Sequence, residues 1–157
     1  MEFYSWRMMT DSQARLPECI SRMVGQHIES PRKEFSGKWM PQGFLIEKLD
    51  EEGQKVVIRF DSKTRLELHF WRFNLVYNIL HEANGNYVAV GSRIDPEKTE
   101  TIESRLYEEA KKMNYPSARL RTAAFICDLI VLCKIAQYGV IRNPETGRTV
   151  QAIRMLK

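Results

Sequence analysis

The chain has 157 residues, 43% hydrophobic and 28% charged, with a formal charge of +4, which excludes a fibrous or disordered class and allows one ordinary domain or two small ones. No apolar run reaches the roughly 18 residues that a membrane-crossing helix needs. The start Met1-Glu2-Phe3-Tyr4-Ser5-Trp6 lacks the basic-then-apolar order of a secretory signal, so a cytoplasmic protein with no membrane partner is expected.

Leu16, Ile20, Met23, Val24 and Ile28 recur at helical spacing, with Pro17 where a first-turn proline is tolerated, and predict an amphipathic helix from Leu16 to Glu29. Residues 30–38 lack periodicity and contain turn formers, so they read as a surface connection, after which Trp39 and Met40 re-enter the core. Strands follow at 43–49, 54–60 and 64–70. The first two flank Asp50-Glu51-Glu52-Gly53, a turn whose glycine is expected at positive φ. In the third, Leu66, Leu68 and Phe70 alternate with Arg65, Glu67 and His69, so one face is buried and an antiparallel meander results.

Leu75, Val76, Ile79 and Leu80 return to helical spacing, and Asn84-Gly85 can end that helix in a left-handed conformation. Residues 87–91 are short, β-branched and bounded by glycine, which predicts a fourth strand of the same sheet. Residues 92–98 interrupt the apolar pattern and form the expected boundary. Beyond it Ile102, Leu106, Ala110 and Met113 make a helical stripe, with Asp95 or Thr99 as cap and Glu100, Glu103, Glu108 and Glu109 facing out. Ser117 can cap the next helix, which from Leu120 to Tyr138 is apolar around most of its circumference. Val140 to Met155, with a turn at 143–147, reads as a β-hairpin.

The expected architecture is therefore α+β: an N-terminal helix plus an antiparallel β-meander with a packed helix over 1–92, then a winged-helix-like α-α-β-β unit with a basic hairpin over 93–157. The two could also pack as one compact domain. The cysteines Cys19, Cys127 and Cys133 are odd in number and two lie in the most apolar segment, so buried thiols are expected rather than a disulfide framework.

From Tyr115 onward seven basic residues face two acidic ones, a balance of +5, which leaves −1 for the rest. A neutral body with a basic end favours a polyanionic partner. Two helices followed by a basic hairpin is also the C-terminal order of a winged helix, in which one helix enters the major groove and the hairpin touches phosphate. The expected nucleic-acid contacts, DNA first, are Arg119, Arg121 and Thr122 near the start of the long helix and Arg142, Arg148 and Arg154 on the hairpin. Against this, the helix face shared by Arg121, Phe125, Asp128 and Leu132 is half apolar, and Asp128 would repel phosphate.

Two other readings compete. If the faces bearing Phe125, Leu129, Leu132 and Tyr138 are uncovered, a second subunit or another protein could cover them, giving a non-catalytic interaction or homodimerisation module. Asp61-Ser62-Lys63 with Glu47 or Asp50 has the residue types of a metal-dependent nuclease, but the segment falls in a hairpin turn. The histidines His27, His69 and His81 show no zinc spacing, and neither a P-loop nor a dinucleotide fingerprint is present, so no cofactor or metal is expected.

Overall fold

A computed structural model describes residues 11–32, 42–91, 101–115, 121–142 and 147–156, with side chains from residue 15 onward. Among them the first element is helix α1 (Asp11–Met23), followed by β1 (His27–Ile28). The helix ends earlier than periodicity predicts because Gly25 takes φ +85 and donates from its N–H to Ile46 O at 2.7 Å, turning the chain onto the sheet. Ile28 is thus a strand residue, and Val24 remains 38% exposed.

Pro17 lies inside α1 rather than in its first turn. An interior proline costs roughly 3 kcal/mol, whereas burying Leu16 and Ile20 returns about 1.5–3 kcal/mol each, so docking of α1 is a close balance. Cys19 bonds to Cys133 across 114 residues with Cα atoms 5.9 Å apart, and only Cys127 is a free thiol among the described cysteines. The expectation of three thiols is corrected here: α1 lays Cys19 beside the end of a later helix, within disulfide reach.

The meander forms as predicted from β2 (Phe44–Asp50), β3 (Lys55–Arg59) and β4 (Arg65–His69), antiparallel in the order β1-β2-β3-β4. In β4, Leu66 and Leu68 are buried and Arg65 and Glu67 exposed, as alternation requires. The first turn differs in detail. Gln54, not Gly53, has the positive φ, and Gly53 instead donates to the Asp50 carboxylate at 2.8 Å.

Helix α2 (Phe70–Glu82) follows β4 directly, and beyond its cap Ala83 the chain turns at Asn84 with φ 52, as expected. Strand β5 (Val88–Ala89) does not join the meander. It pairs with the last strand, in a second sheet formed with β6 (Ala136–Arg142) and β7 (Thr149–Met155) in the order β5-β7-β6.

Between these strands lie α3 (Ile102–Lys112) and α4 (Ala123–Leu132). The cap of α3 is Thr101, whose Oγ1 accepts from Ser104 N at 3.1 Å; Asp95 and Thr99 fall outside the described residues, as do Glu100, Trp39, Met40, Ser117 and the 92–98 boundary. Glu103, expected on the outer face, is buried because its Oε2 accepts from Ala123 N at the start of α4. Helix α4 is shorter than the apolar run. Lys134 adopts φ 60, Ile135 N donates to Ile130 O and Lys134 N to Val131 O, and the rest of the run becomes β6.

One cluster of buried residues runs from Leu16 and Ile20 through Phe44, Ile58 and Leu68 to Phe73, Leu106, Leu129 and Ile153. Among the described residues no helix is long and apolar enough to cross a membrane.

Candidate nucleic-acid interface

The hairpin of β6 and β7 carries two of the predicted arginines at its outer end. Arg142 stands opposite Thr149 in the ladder, and both Arg142 and Arg148 are exposed beside Gly147, whose φ of +72 suits the turn. Arg154 has another setting. It is opposite Gln137, five residues beyond Thr149, so alternation sends it to the other face of the hairpin from Arg142.

There the Arg154 guanidinium stacks over the Tyr87 ring at 5.1 Å, and the Gln137 amide, turned so that its oxygen faces the guanidinium, accepts from Nη2 and Nε at 2.9 Å. Tyr87 lies across Gly139. A Cβ at that position would stand 2.6 Å from the ring, so only glycine admits the stack.

At the start of α4 the predicted residues part company. Arg121 is exposed, whereas Thr122 is wholly buried and its Oγ1 accepts from Arg72 Nη1 at 3.2 Å. Thr122 therefore belongs to the interior, and Arg119 lies outside the described residues. Arg72 is 1% exposed, with its guanidinium 4.5 Å from the Trp71 ring centroid and 5.9 Å from that of Tyr115; among the described residues its Nε and Nη2 have no hydrogen-bond partner. Burial pushes the Glu103 carboxyl above its usual range, opposed by the Ala123 and Thr122 backbone and by the Arg72 charge.

The face of α4 that carries Asp128 is covered by the first half of the chain. Arg32 donates from Nε and Nη2 to the two carboxylate oxygens at 3.0 and 3.1 Å, and Tyr138 donates its hydroxyl to Oδ1 at 2.7 Å. Burial raises the Asp128 pKa, and the Arg32 charge and hydrogen bonds oppose that rise. Phe125, one turn earlier, packs edge-on against Phe44 at 5.8 Å and at a tilt against Phe60 at 5.0 Å. Asp128 thus presents no charge to solvent, and this face is not free to enter a groove.

Leu129 and Tyr138 are also buried within the chain, and Phe125 and Leu132 pack against the core. The exposed large apolar side chains among the described residues are Val24, Val140 and Leu156, on three separate elements or their ends. Of the residues weighed for metal chemistry, Glu47 is held by Arg65 Nε at 2.8 and 3.0 Å, Asp50 accepts from Gly53, and Asp61 lies in an exposed turn 3.6 Å from His27 Nε2. The described residues contain no group of three or more His, Cys, Asp or Glu side chains gathered as a metal would require.

Sequence reasoning missed Arg32 because it sits in what reads as a surface connection. A signal was present: an aspartate inside the most apolar run of the chain needs a buried partner. Comparison of the chain with protein-family models, with curated proteins and with solved structures returns no match.

Proposed function

We propose that the protein binds nucleic acid, DNA first, by its phosphate backbone through the exposed end of the C-terminal hairpin, in the manner of the wing of a winged helix. The observation that carries this reading is topological. Helix α2, β5, α3, α4 and the β6-β7 hairpin follow one another with sheet order β5-β7-β6, an order compatible with a winged helix and one that leaves Arg142 and Arg148 exposed at the tip. Arg121, exposed at the start of α4, is the third contact of the proposal.

The mode differs from groove reading. With Asp128 and Phe125 covered by Arg32, Phe44 and Phe60, α4 supplies no base-reading face, so contact rests on phosphates and is independent of sequence. Fluorescence anisotropy of labelled duplex DNA at about 50 mM and about 200 mM salt tests it. Binding that weakens steeply with salt and is equal for unrelated sequences is expected. No binding at low salt, or affinity indifferent to salt, rejects it.

A second reading is favoured by the same covered helix: a winged-helix scaffold whose groove-facing helix is occupied internally serves protein recognition instead. Light scattering after size-exclusion chromatography addresses its simplest form, a homodimer. A strict monomer across the concentration range counts against that form.

A further inference from the structure

We propose that the Cys19–Cys133 disulfide is a redox latch that holds α1, the start of a strap over α4, in its docked position. The strap has three attachments in chain order. Cys19 is bonded to Cys133 at the C-cap of α4; Gly25 N hydrogen-bonds to Ile46 O; and Arg32 pairs with Asp128 in the middle of α4. The stretch from α1 to Arg32 therefore touches α4 at its end and at its centre, across 114 and 96 residues of chain.

The first attachment is the one whose covalent state can change. A helix of 13 residues with an interior proline is not stable alone in water, so α1 exists as a helix only while docked. Among the described residues its docking rests on the buried side chains of Leu16 and Ile20 and the partly buried Met23, together with the disulfide. Breaking the bond lets α1 open without carrying Cys133 and the end of α4 with it, and also lowers the stability of the whole enclosed loop against unfolding. The Arg32–Asp128 pair and the ladder of β2 to β4 have bonds of their own, so α1 is the first segment to open.

The chemistry needs a thiol partner from outside. Two equivalents of a thiol, or one of a dithiol, transfer two electrons and two protons to the Cys19–Cys133 bond, giving two cysteine thiols and the oxidised partner. Oxidised glutathione runs the step in reverse, releasing two equivalents of reduced glutathione. Cys127, buried in α4 with its thiol pKa pushed far up by burial, is not a competing nucleophile.

Hydrogen exchange followed by mass spectrometry on the full chain, equilibrated with oxidised glutathione or with dithiothreitol, tests the latch. Denaturing alkylation should count one thiol in the oxidised sample and three in the reduced one. Amides of α1 and of the last turn of α4 should exchange at least about tenfold faster after reduction, and by a larger factor than those of β3, which answer to global unfolding. Cys19→Ser should behave as the reduced protein under both conditions. If it fails to fold, in-situ reduction of the native chain carries the same comparison. Three thiols in the oxidised sample, equal exchange in both states, or a uniform rise including β3 would each overturn the latch. None of these readouts involves nucleic acid, so the latch and the proposed binding stand or fall separately.

Discussion

Arg32 and Asp128, 96 residues apart, form a two-pronged buried ion pair with N···O distances of 3.0 and 3.1 Å, and so join the first half of the chain to the centre of α4. Removing one member leaves the other charge uncompensated in the interior. Asp128→Ala or Arg32→Met should each cost about 3–5 kcal/mol, whereas the double replacement Arg32→Met with Asp128→Leu should recover most of that loss. Urea unfolding of the three variants checks it; additive losses would show that the pair is not the link.

The other buried arginine should behave differently. Among the described residues Arg72 hydrogen-bonds to Thr122 while its Nε and Nη2 find no partner, so its guanidinium bears a desolvation cost that is poorly offset. Arg72→Met keeps the volume over Trp71 and should change stability by less than about 1 kcal/mol in either direction. A loss near that of Arg32→Met, in the same urea series, would mean that Arg72 is satisfied by a partner in solution.

The contrast between these arginines also shows where sequence reasoning stopped. Alternation in β4 and helical spacing in α2 are local, and both elements appear where the pattern puts them. Periodicity misplaces the ends of α1 and α4 because they are set by single left-handed residues, Gly25 inside an unbroken apolar stripe and Lys134, a residue type with no turn signature. Chain order makes β5 a neighbour of the meander because adjacent strands usually pair, but its partner lies at the far end of the chain. For the site, exposure of Arg121, Arg142 and Arg148 was legible from the charge pattern. The interior role of Thr122, Glu103 and Arg32 was not, because each is defined by a partner distant in sequence.

Gly139 offers a test of the second sheet. Tyr87 lies where a Cβ would have to sit, at 2.6 Å, and the Arg154 guanidinium stacks over its ring at 5.1 Å. Gly139→Ala should displace the ring and cost about 1–3 kcal/mol, seen as a lower thermal midpoint and altered Tyr87 aromatic resonances. An alanine variant as stable as the parent, with those resonances unmoved, would contradict the stack.

His69 supplies a pH dependence of definite sign. Burial holds its pKa below 6.5, with a smaller opposing effect from Glu67 and lowering contributions from Arg72 and Lys55. The unfolded chain then binds more protons than the folded one just below that value, so stability is full above pH 6.5 and falls as pH drops through it toward the folded pKa. The urea midpoint should fall between about pH 7.5 and about pH 5.5 by more in the parent than in His69→Gln. Asp128 and Glu103, whose pKa values are raised, act in the opposite sense at lower pH, and the variant comparison separates them. Parallel profiles would remove His69 as the source.

The proposed role rests on the hairpin tip, and charge reversal there probes it most directly. Duplex-DNA affinity is compared among the parent, Arg142→Glu with Arg148→Glu, and the control Lys63→Glu with Lys112→Glu, which reverses two other exposed charges. Loss of two phosphate contacts should weaken binding at low salt by at least about tenfold and reduce the salt slope by about two, with the control near the parent. Equal losses in both double variants, or none at the tip, would contradict a wing that holds DNA.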